Sequence, residues 1–302
     1  MSALPPCPSA NPGDDDLTGV VTHLTTLTTR RGAVARDPNE PEVRWLLEAG
    51  IRALGEAVLD TSSNSSGPVA YSHANSLFDT LPIERVMRCF RDMCVESGID
   101  PGSANKARLI RRWSFAANYQ LDLIAYLFRP EVHIRRLDAA TERLAQILPD
   151  LTLRELIDAI SEQESTLTPI ATVYRLQHVM RMMFPADDVI RQYSARLYDL
   201  QISHWADAYR TVAIVYDLPL HGTGATFTDL ATVLGLAVEG AFVRSTGLPR
   251  HAICTDGTPA VVAAVRSITA AAAGAPWAEL ADRRADLSRL ASPEALAAIP
   301  PS

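Results

Sequence analysis

The sequence predicts an all-α protein with a small N-terminal helix-turn-helix domain followed by a larger helical domain. Apolar residues recur at helical spacing along most of the chain, aromatic residues make up only 6% of it, and no segment alternates convincingly between apolar and polar residues. With 302 residues and a hydrophobic fraction of 47%, the chain has enough apolar surface for one large or two ordinary cores.

Segments rich in Pro, Gly and Ser divide this pattern into helices. The predicted spans are 41–59, 82–97, 104–113, 116–128, 132–147, 151–163, 168–183, 186–216, 226–245, 257–273 and 276–290. Gly98 is placed to end the second helix in the left-handed conformation. Ser103 or Asn105 is a candidate cap for the third helix, and Thr152 with Glu155 forms a capping box before the sixth.

The same segments predict the domain organisation. The expected divisions are a disordered arm over 1–40, a helix-turn-helix domain over 41–128, a larger ligand-binding and dimerisation domain over 130–290 and a flexible tail over 291–302. The arm is assigned as disordered because it is rich in Pro, Ser, Thr and Asp and has little apolar periodicity. Its Arg30, Arg31 and Arg36 are candidates for phosphate contacts, with a solvated tail as the favoured alternative.

The stretch from Arg85 to Arg112 is basic within an acidic chain. The whole chain carries a formal net charge of −7, whereas this stretch, together with Glu84 just before it, holds seven Arg and Lys residues against four Asp and Glu residues. In its last predicted helix, Leu109 and Trp113 lie four residues apart and share one face. Basic residues cover much of the remaining surface. Taken alone, this helix favours an ordinary surface helix with a solvated charge run over a recognition helix.

Arginine can bind guanine O6 and N7 in bidentate fashion, and both arginine and lysine bind phosphate groups. Polar and basic residues in and around the predicted third helix are therefore the candidate DNA contacts. They are Ser103, Asn105, Lys106, Arg108, Arg111, Arg112 and Tyr119.

Residues 46–128 resemble the DNA-binding domain of the tetracycline-repressor (TetR) family. The similar segments are Leu46–Leu54, Arg91–Ile99, the pattern Lys106-x-x-Leu109-x-Arg111-x-Trp113, Tyr119–Leu127 and, later, Thr228–Leu248 with its central Glu239-Gly240. The resemblance implies a homodimer that binds a near-palindromic double-stranded DNA operator. It also implies a repressor that is released when a small apolar ligand binds the C-terminal domain, with the last of these segments in the dimer interface.

Isolated polar groups on apolar helices are the candidate ligand-binding residues. They are Tyr174, His178, Met182, Trp205 and Tyr209, of which the first three recur every four residues. The alternative for each of them is ordinary core packing.

Other functional classes find little support in the sequence. The four cysteines include no Cys-x-x-Cys pair, the seven histidines show no metal-ligand spacing, and nucleotide-binding and hydrolase motifs are absent. We therefore expect no cofactor, no metal and no enzymatic activity. The N-terminus does not resemble a signal peptide and no run is apolar enough to span a membrane, so we expect a cytoplasmic protein with reduced thiols.

Two alternatives remain open at this stage. The long connections at 60–80 and 98–106 favour a helical protein-interaction or ligand-sequestering module with a degenerate helix-turn-helix. A weaker alternative is a cofactor-free enzyme that uses His204 and Asp207.

Overall fold

The structure, a computed structural model, describes residues 4–5, 7, 16–29, 32–58, 81–102, 104–167, 172–220 and 226–297. Regular structure in these residues is almost entirely helical, which confirms the predicted all-α class. Two short β-strands also lie in the described residues, where β1 (Leu27–Thr29) pairs antiparallel with β2 (Gly32–Val34). None of the described helices is long and apolar enough to cross a membrane.

Most predicted helices form close to their expected bounds. The α-helices of the described residues are α1 (Pro41–Val58), α2 (Ile83–Glu96), α3 (Lys106–Trp113), α4 (Ala116–Leu127), α5 (Glu131–Ile147), α6 (Leu153–Leu167), α7 (Thr172–Met183), α8 (Asp188–Val215), α9 (Phe227–Gly247), α10 (Ala260–Ala273), α11 (Trp277–Leu280) and α12 (Pro293–Ala297). Short 3-10 helices are formed by Leu148–Asp150, Pro249–Ala252 and Leu287–Ala291.

Local sequence signals at helix ends are confirmed. Gly98 adopts a positive φ of 68° directly after α2, as the left-handed end of that helix requires. The capping box at the start of α6 is also present. The Thr152 N–H donates to the Glu155 carboxylate at 2.8 Å, and the Glu155 N–H donates to the Thr152 hydroxyl at 3.3 Å.

The helix predicted over 276–290 is wrong beyond its first turn, which is α11. The following residues bind other parts of the second half of the chain through their backbone. The Leu153 N–H donates to the Arg283 carbonyl at 2.9 Å, and the Asp286 N–H donates to the Val215 carbonyl at 2.8 Å. These partners take backbone groups that a continuous helix would have used for itself.

The flexible tail predicted over 291–302 is wrong for its first part. Helix α12 forms there, and Ala295 is only 8% exposed among the hydrophobic core residues. The last five positions, 298–302, lie outside the described residues.

The chain divides into two compact units, and the division differs from the predicted one. Unit 1 comprises Met1–Glu131 and Thr172–Arg196, and unit 2 comprises Val132–Ala171 and Leu197–Ser302. The cut after Glu131 agrees with the predicted boundary. The sequence did not predict that residues 172–196 belong to unit 1. Helical periodicity identifies the apolar face of a helix, but it does not identify the helix that packs against that face.

Helix α7 is held in unit 1 by contacts with the end of α4. The Gln177 side-chain amide donates to the Leu127 carbonyl at 2.8 Å, and both groups are buried. The guanidinium of Arg181 lies 5.5 Å from the centre of the Phe128 ring. These contacts satisfy a carbonyl at the end of α4 that has no partner within its own helix.

The described part of the N-terminal arm is folded onto unit 1, so the prediction of disorder is wrong there. Leu17 and Val21 are at most 5% exposed. The Leu17 N–H donates to the Asn39 side chain at 2.9 Å, and the Trp45 indole N–H donates to the Pro5 carbonyl at 2.9 Å. The arm is polar on average, which led to the prediction of disorder, but a few large apolar residues are enough to bury its described part.

Helix α1 approaches α4 most tightly at Gly50. A Cβ atom at this position would lie 2.3 Å from the Tyr119 hydroxyl and 2.8 Å from the nearest Leu123 methyl group. The Tyr119 hydroxyl donates to the Leu46 carbonyl at 2.8 Å across the same contact. The separation of the two helices therefore depends on the absence of a side chain at residue 50.

We expect Gly50→Ala to lower the free energy of unfolding by roughly 1–3 kcal/mol, the usual cost of forcing atoms into a packed core. The matched control is Gly235→Ala in α9, where an added Cβ meets nothing within 4 Å and alanine favours the helix by about 1 kcal/mol. Chemical denaturation of both variants measures the difference. Equal stability of the two variants would contradict the close approach at Gly50.

Candidate nucleic-acid interface

Helices α2 and α3 are the predicted helix-turn-helix pair, and the connection between them is ordered in its described part. The Ile99 N–H donates to the Cys94 carbonyl at 2.8 Å, which closes the end of α2. Asn105 occupies the predicted N-cap position of α3 in an extended conformation, but its side chain makes no capping hydrogen bond. Ser103, the other candidate cap and a predicted DNA contact, lies outside the described residues.

The inner face of α3 is the one predicted from the sequence. Leu109 and Trp113 are both 0% exposed, which confirms them as the side chains that anchor this helix. The Trp113 ring packs edge-on against the Tyr119 ring of α4, with 5.1 Å between ring centres. The orientation of α3 is therefore determined by packing on its own domain.

A buried carboxylate, Asp122 of α4, ties α3 to the N-terminal segment. It is 0% exposed and accepts a hydrogen bond from the Trp113 indole N–H at 2.8 Å. It also accepts from the backbone N–H groups of Thr22 and His23 at 3.0 and 3.1 Å, and its other contact is the His23 Nδ1 at 2.7 Å. The sequence analysis missed this residue, although Asp122 is the one charged residue of α4 and lies between two leucines.

Arg108 does not face solvent, and its predicted role in DNA contact is corrected to a structural one. Its side chain is only 8% exposed, and its Nε donates to the Glu42 carboxylate at 2.6 Å. The guanidinium also lies 5.4 Å from the centre of the Phe90 ring. Releasing Arg108 to bind DNA would leave the Glu42 charge without this partner.

Arg112 is corrected in the same way. Its guanidinium binds the carboxylates of Glu40 and Glu42, and its side chain is 13% exposed. Glu40, Glu42, Arg108 and Arg112 thus form one cluster, called here the α1–α3 ion-pair cluster, at the start of α1 and along α3. Two of the four basic residues of α3 are used to hold the helix in place.

Tyr119 is also corrected from a DNA contact to a core residue. It is 1% exposed, and its hydroxyl donates to the Leu46 carbonyl. Burial raises the pKa of its hydroxyl well above the ordinary value of 10, so that the group stays protonated and keeps this hydrogen bond.

The exposed side of α3 keeps the remaining candidates. Asn105, Lys106 and Arg111 are all exposed. Lys106 Nζ lies 3.8 Å from the Glu84 carboxylate, with both side chains largely in solvent, and such a pair is weak. Arg111 donates from Nε to the Ala107 carbonyl at 3.2 Å. Chemically, this surface offers hydrogen-bond donors and positive charge to an anion.

The candidate ligand-binding residues are divided between the two units. Tyr174, His178 and Met182 lie on α7 in unit 1, whereas Trp205 and Tyr209 lie on α8 in unit 2. Met182 is 73% exposed and is corrected to a surface residue. Trp205 and Tyr209 stack on each other with 5.6 Å between ring centres, and Tyr174 is 9% exposed within the core. The placements of Tyr174, Trp205 and Tyr209 agree with the alternative of ordinary packing, and ligand binding by these residues stays a prediction.

His204, one of the two enzymatic candidates, contacts a hydroxyl group and an aromatic ring. A ring nitrogen of His204 lies 3.1 Å from the Thr141 hydroxyl, and the ring packs edge-on against Trp205. Among the described residues, no group of three or more His, Cys, Asp and Glu side chains is arranged to hold a metal ion.

Comparisons with protein family models, curated proteins and solved structures find no match for this chain. The resemblance of residues 46–128 to the TetR family stays a prediction. A function is therefore proposed from the geometry and charges of α2 and α3.

We expect Asp122→Ala to lower the free energy of unfolding by roughly 3 kcal/mol, because the Trp113 indole N–H would be buried without a partner and the bonds to Thr22 and His23 would be lost. The matched control is Glu96→Ala, which removes an exposed carboxylate paired with Arg52 at 2.7 Å. That change should stay within about 1 kcal/mol. Chemical denaturation compares the two variants, and an effect of Asp122→Ala as small as the control would refute the anchoring role.

Proposed function

We propose that the protein is a sequence-specific DNA-binding regulator, in which α3 of unit 1 lies against duplex DNA. The observation that carries this proposal is the division of α3 into two sides. Leu109 and Trp113 are buried, while Lys106 and Arg111 are exposed, as is the polar Asn105 just before the helix. A helix that is fixed by its partner helices and presents donors outward meets the physical requirements of a recognition helix.

The α1–α3 ion-pair cluster supports this proposal through orientation. A recognition helix needs a fixed angle, because base contacts are made over hydrogen-bond distances. Paired and largely buried arginines hold α3 against the start of α1 from the side opposite to solvent. The cluster also neutralises two guanidinium groups, so Lys106 and Arg111 provide the cationic surface of the helix.

A second candidate is a helical protein-interaction module with a degenerate helix-turn-helix. The observation that favours it is the same neutralisation, since half of the basic residues of α3 are unavailable to phosphate groups. This candidate predicts weak DNA binding that does not depend on sequence.

Self-association belongs to the proposal because α9 has an exposed apolar stripe. Val233, Leu236 and Val243 are 47, 65 and 50% exposed, and Gly240 lies on the same side. The spacing of these positions places them along one face of the helix. We infer that this stripe in unit 2 packs against a second copy of the chain, because exposed apolar stripes of this kind mark interaction sites.

The proposed DNA contact is tested by selection of bound sequences from a random duplex pool, followed by titration at several salt concentrations. We expect the wild type to enrich a near-palindromic site. The double variant Lys106→Ala/Arg111→Ala is expected to bind that site roughly tenfold or more weakly and to reduce the salt slope by about 2 to 4, because each copy of the dimer loses two cations. Its thermal stability should hardly change, because both side chains are exposed.

The control is Arg88→Ala, which removes an exposed cation of α2 that already pairs with Glu56. It should leave both the affinity and the salt slope near the wild-type values. No enriched sequence for the wild type, with only weak and sequence-independent binding, would reject the proposal in favour of the interaction module.

The self-association is tested by Leu236→Arg, which places a charge in the apolar stripe of α9. We expect the variant to be a monomer under conditions in which the wild type is a dimer, measured by light scattering after size-exclusion chromatography. Ala139→Arg on the exposed side of α5 introduces the same charge elsewhere in unit 2 and should leave the dimer intact. A monomeric wild type would contradict the assignment.

A further inference from the structure

The N-terminal segment meets the end of α3 at Thr25. The Thr25 N–H donates to the Arg112 carbonyl at 2.7 Å, and the Thr25 hydroxyl lies 3.0 Å from the carbonyls of both Arg111 and Arg112. The same hydroxyl accepts a hydrogen bond from Arg36 Nε at 3.2 Å. One threonine therefore places the guanidinium of Arg36 beside the last turn of α3.

Positive charge is in excess at this junction. Four guanidinium groups, those of Arg36, Arg108, Arg111 and Arg112, share two carboxylates. Both carboxylates are used by Arg108 and Arg112. Among the described residues, neither Arg36 nor Arg111 forms an ion pair with a carboxylate.

The electrostatics of Arg36 agree with this geometry. Partial burial lowers the pKa of its guanidinium first, and the positive charges of Arg112 and Arg111 lower it further, although Glu40 and Glu42 act in the opposite direction. An anion bound at the junction would relieve this repulsion. It would also give an acceptor to the terminal nitrogens of two arginines, whose planar donors match phosphate oxygens.

We propose that Arg36 and Arg111 together bind one phosphodiester group of duplex DNA, so that the N-terminal segment is part of the DNA-binding surface. This inference rests on the proposed function, because it places the phosphate beside the exposed side of α3. It commits to the DNA backbone because Arg111 stands on the same helix as Lys106, and a duplex lying along that helix passes the junction. The segment then contributes affinity and not base recognition.

The test titrates the full-length protein with its selected duplex at several salt concentrations. We expect Arg36→Ala to weaken binding by about fivefold and to lower the salt slope by up to about 1.8, because each copy of the dimer would lose one phosphate contact, which contributes about 0.9. Arg36→Lys keeps the charge and should retain most of the slope. Because the two arginines share one phosphate, the loss in Arg36→Ala/Arg111→Ala should differ from the product of the single losses.

Three results would overturn the inference. The first is that Arg36→Ala binds DNA with the affinity and salt slope of the wild type, although Lys106→Ala/Arg111→Ala binds more weakly. This result would leave the proposed function intact. The second is a loss of affinity in Arg36→Ala/Arg111→Ala that equals the product of the losses in the two single variants. The third is found by calorimetry with inorganic phosphate. If the wild type binds phosphate saturably, and Arg36→Ala loses this binding but keeps its DNA affinity, the junction binds a free anion and not DNA. A wild type that binds no duplex instead removes the proposed function itself.

Arg36→Ala also removes the bond to Thr25, so loss of structure needs a separate readout. Thr25→Val removes the hydroxyl and keeps both arginines. If Arg36 acts through a phosphate, Arg36→Ala should lower the salt slope more than Thr25→Val does, with both variants folded by circular dichroism. Equal slopes in these two variants would reduce Arg36 to a structural role and overturn the inference.

Discussion

The buried carboxylate of Asp122 is the constraint on which the architecture of unit 1 depends. A carboxylate without water requires donors on its oxygens, and here they come from α3 through Trp113 and from the N-terminal segment through Thr22 and His23. One side chain on α4 therefore determines the position of two separate pieces of chain. Since α3 is only eight residues long, it has too few internal hydrogen bonds to be stable without such contacts.

The α1–α3 ion-pair cluster is a second attachment of α3. Because Arg108 and Arg112 pair with carboxylates in this cluster, their charges are not available to bind an anion. Burying an ion pair contributes little net stability, because desolvation offsets most of the attraction, whereas it strongly disfavours arrangements in which a charge loses its partner. The cluster is therefore better explained as a device for fixing the orientation of α3 than as a source of stability. For a helix proposed to lie against DNA, orientation is the property that matters most.

The sequence was sufficient for features that depend on near neighbours. The helix spans, the left-handed Gly98, the Thr152–Glu155 box and the anchors Leu109 and Trp113 all follow from residues a few positions apart. The roles of Arg108 and Arg112 could not be obtained in this way, because their carboxylate partners are 66 to 72 residues away in the sequence. The folded arm and the placement of α7 failed for the same reason, since each depends on a distant surface that covers it.

The small number of cations on the proposed DNA-binding surface makes the proposed DNA binding and the proposed self-association depend on each other. One copy of unit 1 offers Lys106, Arg111 and the junction at Arg36, while the whole chain has a formal charge of −7. Each phosphate contact contributes a limited, salt-sensitive increment, so one copy would bind weakly at physiological salt. Two copies joined through α9 would double the contacts without a second loss of translational freedom, and the second contact would form at a high effective concentration. Under the two proposals together, the gain from a second copy would supply much of the DNA affinity.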